Sequence, residues 1–145
     1  SENISKDWLD IRSQTYGILQ REDTLKEIVK LLGPEALPDE EKLILEVARM
    51  VKIGILQQNS FDDVDTYCSP EKQFKLMKLQ VDFYNKGQQA LKDGASLADI
   101  RSMDVISLLL KARMDVKDDE MDKLDKIGND MEEQFKSVTG VKVQN

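Results

Sequence analysis

The chain has 145 residues, 34% of them charged and 40% hydrophobic, with a formal net charge of −7. This is the composition of one globular domain, not of a disordered or membrane-embedded chain, and its acidic balance argues against a nucleic-acid partner, which needs a basic face. Histidine is absent and Cys68 is the single cysteine, which excludes the commonest general base, Ser-His and Cys-His nucleophiles, a structural zinc site and an internal disulfide.

No apolar run reaches the roughly 20 residues that span a bilayer. The segment Ser1–Asp10 is polar, without the apolar core of a secretory signal. Neither G-x-x-x-x-G-K-[ST] nor G-x-G-x-x-G occurs, so no phosphate-cradling loop is encoded. Catalysis by this chain alone would rest on carboxylates, lysines and tyrosines, and independent catalysis is not expected.

In chain order, Trp8, Leu9, Ile11, Tyr16, Ile18 and Leu19 recur at helical spacing, as do Leu25, Ile28, Val29, Leu31 and Leu32. The pattern predicts a helix from about Lys6 to Arg21 and another from Thr24 to Leu32, or one kinked rod. Asp23 or Thr24 would N-cap the second piece, with Glu27 closing a capping box. Gly33-Pro34 ends it. After the short link Pro34–Glu41, with Leu37 as a hydrophobic staple and Pro38 in the first turn, a helix is expected to run to about Leu56. Leu43, Ile44, Val47, Met50, Val51 and Ile55 form its buried side. A link this short favours an antiparallel hairpin.

Ser69 reads as N-cap and Pro70 as N1 of a third helix, which carries Phe74, Met77, Leu79, Val81 and Tyr84 to about Asp93, where Gly94 stops it. Ser96 or Asp99 opens a short helix through Met103. Asp104 then caps an element of some 30 residues by helical periodicity, from Val105 to Phe135. The tail Thr139–Asn145 is expected to fray. No β-hairpin signal is present. The fold expected is all-α: a bundle of four to six helices with an N-terminal antiparallel helical hairpin.

Three constellations could carry function. From Asp115 to Glu133 there are nine acids and three lysines, a net of −6; a solvated helix face is the simple explanation, and the order and glycine of a calcium-binding EF-hand loop are missing. Glu35, Asp39, Glu40 and Glu41 suit the N-terminus of the helix that follows. The amide-rich segment Leu56–Pro70 breaks the helical pattern and carries Phe61, either a core aromatic or an aromatic face for a ligand flanked by Gln57, Gln58 and Asn59. Cys68 reads as a small buried residue, not a reactive thiol.

Several blocks resemble, in order and spacing, the C-terminal helical domain of the catalytic A subunit of archaeal A-type and vacuolar-type rotary ATPases. They are Tyr16–Glu22, Leu31–Pro38, Leu43–Met50, Leu56–Phe61 and Val64–Ser69. The resemblance covers most of the chain and is strongest from Tyr16 to Ser69; past about Lys86 it rests mostly on helical character. It implies that residues 1–145 are one helical domain of a larger subunit, whose barrel and P-loop nucleotide-binding domains, P-loop lysine, catalytic glutamate and magnesium ligands lie upstream. ATP or ADP with magnesium would bind the full subunit, with no tight binding expected to this domain alone.

The resemblance also implies that Phe61 packs against the adenine ring, with Gln57, Gln58, Asn59 and Ser60 lining the pocket. By position, the loop Pro34, Glu35, Ala36, Leu37, Pro38, Asp39, Glu40 and Glu41 resembles the rotor-pushing acidic loop of the related F-type catalytic chain, although Pro34 and Pro38 replace part of its acidic pattern. Implied partners are the B subunits of the catalytic hexamer and the central stalk. Implied location is cytoplasmic, peripheral to the membrane as part of the ATPase head, with no direct membrane insertion and with protons as the default ion. The alternative from composition alone is a stand-alone adaptor that binds protein partners through its acidic face.

Overall fold

A computed structural model describes residues 2–56 and 68–143. Those residues are mostly helical, with no strand among them. They form six α-helices: α1 Glu2–Leu32, α2 Asp39–Val51, α3 Pro70–Lys92, α4 Leu97–Arg101, α5 Val105–Asp115 and α6 Asp122–Val143. The all-α bundle expected from the sequence is what forms. Helix α3 lies at its centre, packed on α1, α2, α5 and α6.

The buried side of α2 is the one its periodicity marks: Leu43, Ile44, Val47, Met50 and Val51 are buried, and so is Ile55 beyond its end. On α3 Leu76, Leu79, Gln80, Val81 and Phe83 are among the buried side chains, while Phe74, Met77 and Tyr84 are only partly covered. The Phe83 ring sits 5.3 Å from that of Phe135, which ties α3 to α6. Gly87 lets α2 approach closely, because a Cβ there would lie 2.9 Å from a Leu43 methyl.

Several caps follow the sequence. Ser69 Oγ accepts from Lys72 N–H at 3.1 Å and Ser96 Oγ from Asp99 N–H at 3.1 Å. Gly33 and Gly94 take φ of 86° and 100°, which explains why glycine ends α1 and α3. Leu37 is buried, as its staple role requires.

Four expectations are corrected. First, of the two readings of the N-terminal segment it is the single rod that forms, and α1 does not break at Gln20–Thr24. Thr24 Oγ1 turns back to Gln20 O at 3.5 Å instead of capping, and Ile18, Glu22 and Leu25 are all buried on one side, so tertiary burial overrides the local cap signal. Second, α-geometry ends at Val51, and Lys52–Leu56 continues as a wider π-helical turn; Pro38 occupies the N-cap, where its carbonyl accepts from Glu41 and Lys42 N–H, both at 3.0 Å. Third, α4 stops at Arg101, two residues before Met103. Asp104 holds the N-cap position of α5, but Gln134 Oε1 from α6 takes the Val105 N–H at 3.0 Å.

Fourth, the expected 30-residue element is two helices. Val116 is extended and buried, and Lys117 N–H donates to Glu120 Oε1 at 3.1 Å across a 3₁₀ turn at Asp118–Glu120. The buried Lys72 ammonium of α3 donates to Arg113 O at 2.8 Å and to Val116 O. A cation at the carbonyl end of α5 satisfies groups that helix termination leaves open. Helix α6 runs to Val143, with Thr139 Oγ1 bonded to Phe135 O at 3.0 Å; the remainder of the tail expected to fray lies outside the described residues.

Candidate functional site

Two regions were singled out from the sequence. The first, Gln57, Gln58, Asn59, Ser60 and Phe61, lies outside the described residues. Its flanks are described. On the near side, the π-turn Lys52–Leu56 buries Gly54 and Ile55 and exposes Leu56. A Cβ on Gly54 would meet Leu109 O at 3.0 Å and Gln80 Nε2 at 3.2 Å, so this turn rests directly on the α5 backbone. Gln80 is fully buried, and its Oε1 accepts no hydrogen bond among the described residues.

The turn is tied to α1 as well. Glu22, buried in α1, lies 2.5 Å from Lys52 Nζ and 3.7 Å from Lys26 Nζ. The hydrogen bond that the Lys52 ammonium donates to Glu22 is the main reason it titrates above the ordinary lysine value. On the far side, Cys68 is half-buried, and burial pushes its thiol pKa up against the smaller opposing pull of Arg113 and Lys72. One of these cations, Lys72, is close in sequence and the other, Arg113, is brought by the fold, yet desolvation prevails and the thiol stays protonated at neutral pH.

The second region, Pro34–Glu41, is described throughout. Pro34–Ala36 forms one 3₁₀ turn, closed by hydrogen bonds from Ala36 N–H to Gly33 O and from Leu37 N–H to Pro34 O, each 3.2 Å. Pro34, Glu35, Ala36, Pro38, Asp39 and Glu40 face outward, whereas Leu37 is turned into the core. Glu41 pairs with Arg21 of α1 at 2.5 Å, and Glu35 with Lys42 at 3.0 Å. The Lys42 hydrogen bond holds the Glu35 carboxyl below its usual range. Asp39 and Glu40 make no ion pair among the described residues; at the N-terminus of α2 they are stabilised by the helix dipole.

Beside this loop the structure exposes what periodicity had assigned to a buried face. Leu31 and Leu32 are 83% and 72% exposed. Adjacent residues can share a core-facing stripe, as Leu43 and Ile44 of α2 do; Leu31 and Leu32 instead stand exposed in the last turn of α1, next to the exposed link Pro34–Ala36. The signal was legible as Leu-Leu immediately before Gly-Pro, a place where the helix ends and packing partners run out.

The acidic stretch is solvated as expected, with part of its charge neutralised locally: Glu120 with Lys123 at 2.6 Å, Asp125 with Lys75 at 3.5 Å and Glu132 with Lys86 at 3.7 Å. No group of three or more metal-ligating side chains occurs among the described residues, and none of their helices is long and apolar enough to cross a membrane.

These features define an all-α module with an exposed interhelical tip between α1 and α2 and a π-turn at the end of α2. Comparison with known proteins places it. The family model described as the C-terminal domain of V and A type ATP synthase matches residues 1–101. The A subunit of the A-type ATP synthase of Hyperthermus butylicus is 45% identical over 132 residues, covering 90% of this chain and 22% of that protein. Its counterpart from Methanopyrus kandleri is 41% identical over 137 residues, covering 94% and 23%, and the V-type ATP synthase alpha chain of Halothermothrix orenii is 37% identical over 134 residues, covering 92% and 23%. The chain belongs to the family of C-terminal domains of V and A type ATP synthases. It spans under a quarter of the length of these relatives.

Proposed function

We propose that this chain works as the C-terminal helical domain of the catalytic subunit of a proton-translocating A/V-type ATP synthase, where it closes the adenine side of the nucleotide site and contacts the central rotor stalk. The observation that carries the reading is the similarity, over some nine-tenths of the chain, to proteins named as the A subunits of A-type ATP synthases. Residues 1–145 act as one domain that does no chemistry alone. ATP or ADP with magnesium binds the full subunit through domains preceding this one. The module sits peripherally on the cytoplasmic side of the membrane, among the B subunits of the catalytic hexamer.

Phe61 stacks on adenine, with Gln57, Gln58, Asn59 and Ser60 at the pocket edge. Neutral stacking of this kind contributes about 1 kcal/mol, or roughly a fivefold change in an equilibrium constant. It orients nucleotide without taking part in phosphoryl transfer. Pro34–Glu41 is the rotor-facing tip of a lever. Its stiffness is supported by an unbroken α1, its pairing to α2 through Arg21–Glu41, and the buried Leu37 anchor. The adaptor reading draws less support, since several acids of Asp115–Glu133 are already paired within the domain.

The adenine role is tested by Phe61→Ala in the assembled enzyme. The expected result is a KM for ATP raised about fivefold with kcat little changed. An unchanged KM removes Phe61 from the nucleotide site.

A further inference from the structure

We infer that Glu22 of α1 is a positioning residue for the adenine side of the nucleotide site, and that it acts through Lys52 and the π-turn Lys52–Leu56, which ends five residues before Phe61. The inference rests on the adenine reading of Phe61 proposed above and adds to it a residue, on a different helix, that never touches nucleotide.

Among the described residues Glu22 is the one carboxylate that is buried. Taking a carboxylate out of water is costly, and an apolar pair of equal volume joins two helices as well or better, so stability alone does not explain the pair. What an ion pair does fix is position. Lys26, 3.7 Å away, is only one turn along the same helix. Lys52, 2.5 Å away, comes from the end of α2. It stands where the helix changes geometry: its N–H is shared between Ala48 O and Arg49 O, and the wider π-turn begins there. Such turns are rare and cluster at functional sites.

The opposite side of the turn is held too. Gly54 lies so close to Leu109 O and Gln80 Nε2 that a Cβ would stand 3.0 and 3.2 Å from them, and Ile55 is buried. The turn is therefore gripped by α1 on one side and by α3 and α5 on the other, and Leu56 emerges from it half exposed. Five residues of chain reach at most about 18 Å, so a turn that slips moves the point from which Gln57–Phe61 starts. Stacking tolerates little of this, because a gap of about 1 Å forfeits up to half of a dispersion contact.

The test is a double-mutant cycle on the KM for ATP of the assembled enzyme, with Phe61→Ala, Glu22→Ala and the two combined, and the same cycle with Lys52→Met in place of Glu22→Ala. The inference expects Glu22→Ala and Lys52→Met each to raise KM at least about twofold with kcat little changed. It expects Glu22→Gln, which keeps an acceptor for Lys52, to recover part of the loss, and each combined variant to have the KM of Phe61→Ala alone. A merely structural pair would lower the melting temperature without this dependence on Phe61. If one of the two variants fails to assemble, the other carries the cycle. A KM that stays at the wild-type value, or that rises by the same factor with and without Phe61, overturns the positioning role and leaves the adenine reading standing. An unchanged KM in Phe61→Ala itself removes the adenine reading, and the inference with it.

Discussion

Lys72→Met tests the claim that a buried cation from α3 ends α5. In the native fold the Lys72 ammonium donates to the carbonyls of Arg113 and Val116, 41 and 44 residues away in sequence. Methionine keeps the apolar stem and removes both donors. Hydrogen bonds from a charged group contribute about 1.5–3 kcal/mol each, and a cation at a helix C-terminus a further 0.3–1 kcal/mol. Relaxation and water entry recover part of this, so the expected loss is about 3 kcal/mol. Unfolding entropy for a domain of 145 residues is about 0.3 kcal/mol/K, so the melting temperature should fall by about 10 °C. Far-UV circular dichroism melts would measure it. Amide exchange should quicken at the end of α5 and at Val116 more than in α2. Lys75→Met is the control, because its 3.5 Å partner Asp125 is exposed and such pairs contribute under about 1 kcal/mol. If Lys72→Met melts within about 2 °C of wild type, the α5–α6 break has another cause and the reasoning fails.

Two further outcomes follow from the packing around the π-turn. Gly54→Ala should destabilise the domain by about 1–3 kcal/mol, because the added methyl meets a main-chain carbonyl, Leu109 O, that cannot swing aside; a urea midpoint equal to wild type would show that the turn has room. For the Glu22–Lys52 pair, Lys52 titrates above its ordinary 10.5 in the fold. Its contribution is therefore complete below that value and is lost as pH rises through the raised one. The stability gap between wild type and Glu22→Gln should be level from neutral pH to about 10 and narrow above it; a gap that stays constant through the alkaline range rules out the pairing.

The sequence by itself determined where α2, α3, α4 and α5 begin, where α1 and α3 end, and which face of α2 is buried. Ser69-Pro70, Ser96, Gly33 and Gly94 act within a few residues of themselves, and a capping oxygen or a positive φ depends on no distant partner. The candidate segment Gln57–Phe61 was legible only through family resemblance, since an amide-rich stretch with one aromatic has no unique local meaning. The tertiary structure decided what depends on residues far apart. Thr24 looked like a cap, yet burial of Ile18, Glu22 and Leu25 carries α1 through it. Helical periodicity runs unbroken past Val116, yet Lys72 ends α5 from another helix. Leu31 and Leu32 have the composition of a core and end in water, in the last turn of α1. Local patterns report what a segment can form, and packing selects among those forms because the free energy of burial belongs to pairs of segments that the chain brings together only on folding.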